Sequence, residues 1–267
     1  MRLYHVLNEQ YMKLFEAEQF IHTGKFLAAW LPKRTRQFQK TLALIDGRAD
    51  ILIDSGAFEA FRLGIELDVE EYVDFIKSVE GKVTAYVQMD VVSNISKTLQ
   101  NYEKCRKLGI NPMGVFHFGN PSWVIDEFAD LGCDYLGFGG CGVLLTPLYG
   151  GAKDSSRRKE AVFGFLDRNF KVMASHGMRC HLLGSFNGKF LEAHPFYSSD
   201  ASTAAMDGAY ARKSVWHPSK GRVIRKKVNR DSSTEKMVDL TLENFRNWNM
   251  YSDYLTALWK TRGVEYA

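Results

Sequence analysis

The chain has 267 residues, of which 45% are hydrophobic, 25% charged and 13% aromatic. This is the composition of a globular protein with a sizeable core, and it argues against a disordered or fibrous chain. The formal net charge of +4 permits a polyanionic partner without requiring one.

The first 50 residues carry weak structural signals. Asn8 is predicted to cap a helix that runs to about residue 22, and the apolar run 26–31 is predicted as the first strand. A basic cluster follows Pro32 on a loop, where it either lies on a solvated surface or meets phosphate. Its members are Lys33, Arg34 and Arg36.

From residue 51 onward, apolar runs alternate with segments of helical character. Strands are predicted at 51–53, 83–89, 112–118, 134–138, 179–183 and 196–199. Helices are predicted at 68–79, 94–108, 122–131, 156–175, 187–193 and 203–212. This alternation indicates βα units with a parallel sheet. With six strands before residue 201, it favours a TIM-like (β/α)8 barrel of the α/β class over an open sheet.

The last part of the chain is basic and then aromatic. A loop at 213–230 with a final strand at 223–225 is predicted, followed by an aromatic-rich helix at 234–260 that packs against the barrel. We therefore expect one domain over 1–267. It consists of an N-terminal helix and first strand (1–50), the core βα units (51–212), and the basic loop with the C-terminal helix (213–267).

The four cysteines, at positions 105, 133, 141 and 180, form no C-x-x-C pair and match no zinc framework. They are predicted to be reduced thiols of an intracellular protein. The N-terminus has no apolar segment typical of a signal peptide. No uncharged apolar run approaches 18 residues, so we expect no membrane span and a cytoplasmic location.

Polar residues and glycines recur where the predicted strands end. They are Asp54, Asp90, His117, Gly139 with Gly140, Gly184 with Ser185, and Asp200. In a parallel barrel these ends meet at one mouth. Three carboxylates there could share general acid and base work, supply a nucleophile, or bind a metal with His117. The adjacent glycines favour a flat ligand lying against backbone amides.

The segment Ile51-Leu52-Ile53-Asp54-Ser55-Gly56-Ala57-Phe58 resembles the D-S-G-G-F segment of the queuine-type tRNA-guanine transglycosylases. Five further motifs follow in the order of that family. They are Gln88-Met89-Asp90, Val115-Phe116-His117-Phe118-Gly119, Leu136-Gly137-Phe138-Gly139-Gly140, His181-Leu182-Leu183-Gly184-Ser185 and Ser199-Asp200-Ala201. The resemblance spans about residues 50–205 and looks closest to short, phage-type members, which are similar to DNA-guanine transglycosylases that insert 7-deazaguanine bases.

The resemblance implies a base exchange with two catalytic carboxylates. Asp200 would be the nucleophile that forms a covalent bond to the sugar, and Asp54 would protonate the departing guanine and deprotonate the incoming base. Asp90 would accept hydrogen bonds from the donor edge of guanine. Further contacts to the base would come from His117, Gly139, Gly140, Ser55 and Gly184. The expected partners are DNA in preference to tRNA and a free 7-deazaguanine base, with no cofactor and no metal, in the host cytoplasm for a phage-encoded protein.

Three departures from the family pattern affect the expected substrate. The C-terminal zinc site of the tRNA enzymes is missing from the sequence, Ala57 replaces the second glycine of D-S-G-G-F, and His117 replaces a glutamine. Several alternatives therefore stay open: a tRNA-acting enzyme, a metal-dependent barrel hydrolase or lyase that uses Asp54, Asp90 and His117, and a non-catalytic nucleic-acid-binding barrel. A homodimer or an accessory protein also stays open.

Overall fold

The computed structural model describes residues 1–6, 24–30, 32, 49–141, 155–228 and 234–266. The helix predicted after Asn8 and the basic cluster at 33–36 lie outside these residues. So does the loop predicted between the glycine pair and residue 155.

Eight parallel strands form the central sheet. They are β1 (Arg2–Val6), β2 (Lys25–Ala29), β3 (Asp50–Asp54), β4 (Ala85–Tyr86), β5 (Gly114–His117), β6 (Tyr135–Gly139), β7 (Arg179–Leu182) and β8 (Ser198–Ala201). Strands β1 to β4 pair in sequence order, as do β5 to β8, and β1 pairs with β8. A parallel bridge between Val87 and Met113 joins the β4 side to the β5 side. The ring therefore closes as a (β/α)8 barrel, which confirms the predicted fold class.

Eight helices complete the described structure. They are α1 (Ala57–Leu63), α2 (Val69–Ser78), α3 (Ile95–Lys107), α4 (Trp123–Asp130), α5 (Ser155–Ser175), α6 (Gly188–Ala193), α7 (Thr203–Ala209) and α8 (Thr234–Thr261). Side chains cap α2 and α3 at the residues where these helices were predicted to begin. The Asp68 carboxylate accepts from the Glu71 amide at 2.9 Å, and the Asn94 side chain accepts from the Lys97 amide at 3.0 Å.

Three predictions about strands and helices are wrong. The run 26–31 contributes to strand β2 and not to the first strand, because β1 precedes it. In addition, helix α1 was not predicted. The strand predicted at 83–89 is short, because the Asn101 side chain donates to the Met89 carbonyl at 2.9 Å in place of a neighbouring strand. The helix predicted at 203–212 ends early, because Ala211 takes a positive φ of 49° and its carbonyl accepts from the Val228 amide.

The predicted basic loop is largely an antiparallel two-stranded ribbon. Its strands are β9 (Arg212–His217) and β10 (Arg222–Lys227), and a 3-10 turn at Pro218–Lys220 connects them. The strand predicted at 223–225 is thus part of this ribbon and not of the barrel. The ribbon packs on α8. The amide of Ser214 donates to the side chain of Asn244, and the amide of Trp216 donates to the side chain of Asn247.

Side chains alternate between the interior of the ring and its outer shell. The interior cluster holds Tyr4, Leu27, Leu52, Val87, Met113, Val115, Tyr135 and Tyr197. The intervening strand residues pack outward against the helices, as a closed barrel requires. The C-terminal helix α8 buries Trp248, Tyr251, Leu255 and Trp259, so its predicted packing against the barrel is confirmed. None of the described helices has the length and apolar character needed to traverse a bilayer.

Candidate active site

The predicted strand-end residues share one end of the barrel. Asp54 lies two positions beyond the interior residue Leu52, and His117 lies two beyond Val115. Because alternate residues of a strand face the same side, both side chains belong to the interior set at the carboxyl ends of their strands. Asp200 is in the corresponding position on β8. The barrel thus gathers these groups at one mouth, as the sequence predicts.

Asp54 has an unusual protonation equilibrium. Burial, together with the negative charges of Asp200 and Asp90, raises the pKa of its carboxyl group to about 7. The amide of Gly56 contacts its Oδ1 at 3.4 Å, which only partly offsets these effects. A carboxyl group of this kind exchanges a proton readily near neutral pH, as a general acid and base must.

Asp90 and His117 form a hydrogen-bonded pair. The Nε2 atom of His117 lies 2.8 Å from Oδ2 of Asp90, and both side chains are largely buried. A Cβ atom at Gly139 would lie 2.9 Å from Nδ1 of His117, so this position requires glycine for the ring to fit. The predicted contact from His117 to the base, if made through a ring N–H, therefore requires Nε2 to leave Asp90 or Nδ1 to donate.

Asp200 is held on one side by two N–H groups. Its Oδ1 atom accepts from the Gly184 amide at 2.9 Å and lies 3.0 Å from Nε2 of His181. Gly184 has a positive φ of 68°, a conformation that glycine adopts without strain and that directs this amide at the carboxylate. Gly184, which is predicted to contact the base, donates its amide to Asp200 in the structure.

Sequence reasoning assigned no role to His181, which is completely buried beneath Asp200. Its Nδ1 atom contacts the Ser198 hydroxyl, which in turn contacts the Tyr135 hydroxyl. A signal for this arrangement exists in the strand register, because His181 pairs with Ser198 on the neighbouring strand and Asp200 is two positions further on. Reading it requires the order of the strands in the barrel.

The remaining predicted residues lie around this cluster. The Ser55 hydroxyl is buried and accepts from the Ala57 amide at 3.4 Å, as a turn residue does. Gly140 has a positive φ of 78° at the end of β6. Phe118 packs on Phe165 with ring centroids 4.9 Å apart, as a core residue. Burial raises the pKa of the Cys141 thiol to about 12.

A side cavity opens beside Asp90. It has a volume of about 420 Å³ and lies between α1 and α3, with Phe61, Ile65, Met89 and Lys97 in its wall. This volume is in the range of small-ligand pockets. There is thus room for a flat group next to the Asp90 carboxylate.

Within the described ranges, no three His, Cys, Asp or Glu side chains are grouped closely enough to hold a metal ion. All four cysteines are free and buried.

Comparisons with known proteins give no functional assignment. No protein-family model matches the chain, and no curated protein matches it. The carboxyl transferase domain of Rhizobium etli pyruvate carboxylase with pyruvate is similar, with a TM-score of 0.47 and 10% identity, and the match covers 96% of this chain and 47% of that one. The same domain with 3-hydroxypyruvate gives 0.48 and 9%, again over 96% and 47%. The chain spans about half the length of these domains. Similarity at this level carries no argument about the chemistry.

Proposed function

We propose that the protein exchanges guanine in nucleic acid, DNA in preference to tRNA, for a free 7-deazaguanine base. The observation that carries this proposal is the contrast between two carboxyl groups at the mouth. The pKa of Asp54 is raised to about 7, in part by the negative charge of Asp200. The Asp200 carboxylate, in contrast, is hydrogen-bonded by the Gly184 amide and by the His181 ring. Such a pair divides naturally into an acid–base group and a nucleophile. The resemblance to the guanine transglycosylases supports the same division.

The exchange proceeds in two balanced halves. In the first, an oxygen of Asp200 bonds to C1′ of the sugar while the bond from C1′ to the base breaks. The departing guanine takes the bonding electron pair and the proton of Asp54. In the second, Asp54 removes a proton from the incoming base, and the nitrogen uses the freed electron pair to bond to C1′. The bond between Asp200 and C1′ breaks at the same time, and its electron pair returns to Asp200. Neither half needs an oxidant or a reductant.

Asp90 provides the recognition of guanine in this scheme. The N1–H and N2–H₂ edge of guanine presents only donors, which a carboxylate accepts. Oδ2 of Asp90 is already bonded to His117, so Oδ1 is the oxygen first offered to the base. The target nucleotide must leave the duplex stack to reach this mouth, at a cost of a few kcal/mol.

The ribbon supplies positive charge near the mouth. β9 runs in the same direction as α8, because Ser214 contacts Asn244 and Trp216 contacts Asn247. The far end of α8 lies at the base of the barrel, where Thr256 accepts from the N-terminal amine at 2.7 Å. The open end of the ribbon therefore lies toward the mouth. At this end Lys227 lies opposite Arg212 in the strand register, and Lys226 lies opposite Lys213. Both lysines of β10 are exposed.

We expect neutralisation of this end to weaken nucleic-acid binding in a salt-dependent way. In the double variant Lys226→Gln, Lys227→Gln, the slope of log affinity against log salt should become less negative by about 2, because each phosphate contact contributes about −0.9. Fluorescence anisotropy with a labelled duplex at several salt concentrations measures this slope. The matched control is the double variant Lys77→Gln, Lys107→Gln, which removes two exposed lysines from the C-terminal turns of α2 and α3. An equal loss in both double variants would contradict a specific role for the ribbon.

Release of radiolabelled guanine from duplex DNA and from tRNA, with a 7-deazaguanine base supplied, tests the function directly. We expect release from DNA that is unchanged by a metal chelator. Release from tRNA alone would retain the mechanism and overturn the preferred substrate. Release that a chelator abolishes would favour a metal-dependent hydrolase or lyase. Binding without any release from either nucleic acid would indicate a non-catalytic nucleic-acid-binding barrel.

A further inference from the structure

We propose that His181 is a positioning residue that selects the attacking oxygen of Asp200 and stabilises that carboxylate when the sugar leaves it. This inference rests on the transglycosylase function proposed above. It concerns a residue that is completely buried and has no predicted contact with substrate.

The hydrogen bonds on Asp200 are asymmetric. Oδ1 is bound by the Gly184 amide at 2.9 Å and by Nε2 of His181 at 3.0 Å. In the part of the chain that the structure describes, no group hydrogen-bonds to Oδ2 of Asp200. The carboxylate is thereby fixed with Oδ1 anchored, and Oδ2 is the oxygen free to bond to C1′.

The contacts around His181 define the direction of its hydrogen bonds. A carboxylate that acts as the nucleophile only accepts, so Nε2 of His181 is the atom that donates to Asp200. Nδ1 on the other side of the ring then accepts from the Ser198 hydroxyl, and Ser198 accepts from Tyr135. The hydrogen bonds thus run in one direction, from Tyr135 through Ser198 and His181 to Asp200. The ring is thus held in one tautomer and one orientation.

This arrangement acts unequally on the two halves of the exchange. When Oδ2 bonds to C1′, negative charge leaves Asp200 and Oδ1 becomes the carbonyl oxygen of an ester. When the bond between Oδ2 and C1′ breaks, the electron pair returns and its charge spreads onto Oδ1. The N–H groups of His181 and Gly184 point at the atom where this charge develops, which lowers the barrier to the second half. Loss of the His181 donor should therefore slow the second half more than the first.

Two substitutions at His181 separate donation from packing. His181→Gln retains an N–H that can reach Asp200 and an oxygen that can accept from Ser198. His181→Phe fills the same space without a donor. Ser198→Ala is a smaller change that removes the partner holding the ring, and it provides the same test if the Phe variant does not fold.

The experiment measures both halves on duplex DNA. Single-turnover guanine release without incoming base reports the first half, and transfer from the isolated covalent protein–DNA adduct to added 7-deazaguanine reports the second. For His181→Phe we expect release within about tenfold of the wild type, whereas transfer should fall about 10²-fold, as for loss of one preorganised donor. The adduct should accumulate in steady state. His181→Gln should recover most of the transfer rate, and Ser198→Ala should show the same imbalance to a smaller degree.

The outcomes distinguish this inference from the function on which it rests. Equal losses in both halves for folded His181→Phe or Ser198→Ala, without adduct accumulation, would overturn the positioning role and leave the exchange intact. No recovery in His181→Gln would overturn it as well. No guanine release by the wild-type protein from DNA or tRNA would overturn the exchange itself.

Discussion

Asp200→Asn is expected to abolish guanine release while leaving the fold intact. The amide has nearly the same shape as the carboxylate, and its oxygen can still accept from Gly184 and His181. It lacks the negative charge needed to attack C1′, so the rate should fall by at least about 10³-fold, as after loss of other nucleophiles. Labelled guanine release measures this loss.

A second readout identifies the nucleophile itself. Wild-type protein incubated with DNA and no incoming base should form a covalent protein–DNA adduct that survives denaturing electrophoresis, and Asp200→Asn should form none. Unchanged DNA affinity serves as the control for folding. An adduct that persists in Asp200→Asn and disappears in Asp54→Asn would reverse the roles of the two carboxylates.

The Asp54→Asn variant is expected to release guanine from nucleic acid much more slowly, because the departing guanine then receives no proton. General acid catalysis typically contributes about 10²–10⁴-fold, and we expect a loss in that range. In the wild type the acid form is needed for release, so single-turnover release should decline as the pH rises through about 7, the raised pKa of Asp54. In Asp54→Asn this decline should disappear from the residual activity. A pH profile with the same decline in both proteins would assign the titrating group elsewhere.

The same variant should change stability in a pH-dependent way. The folded pKa of Asp54 is raised from 3.8 to about 7, so the folded state holds a proton that the unfolded state has lost between these values. The free energy of unfolding therefore falls as the pH rises from about 4 to 7, by up to about 4 kcal/mol. Asp54→Asn removes this effect and should have a Tm several degrees above the wild type at pH 8 but a similar Tm at pH 4. Equal Tm values at both pH values would contradict the raised pKa.

The barrel and its mouth could be predicted because their signals are local. The alternation of apolar runs with capped helices is readable in single segments, as for Asp68 and Asn94. β1 was missed because Arg2 and His5 interrupt its apolar pattern. His5 is buried nonetheless, since Asn249 of α8 lies within hydrogen-bonding distance of its ring and Phe245 packs on it. Such compensation by a distant helix leaves no trace in the segment itself.

The chemistry of the site depends on contacts between distant segments. The raised pKa of Asp54 requires the charges of Asp90 and Asp200, which belong to other strands. The contact between His181 and Asp200 depends on the register between β7 and β8. The basic residues of the ribbon are typical of a solvated loop, which hides its strand character in the sequence. Its apolar residue Trp216 packs against Tyr251 and Tyr254 of the distant helix α8. The sequence identifies the polar residues at the strand ends, but the contacts among them follow only from the assembled barrel.

The pairing of β1 with β8 also determines when the site can exist. Arg2 and Tyr197, at the beginning of these strands, are 195 residues apart in sequence. During synthesis at about 5–20 residues per second, one edge of β1 waits on the order of 10 s or more before its partner strand emerges. Asp200 lies on that last strand, so a ribosome-bound chain that already contains Asp54, Asp90 and His117 still lacks the proposed nucleophile. Completion of the ring and acquisition of this carboxylate are the same late event. Under the proposed function, an unfinished chain would therefore be unable to remove bases from nucleic acid.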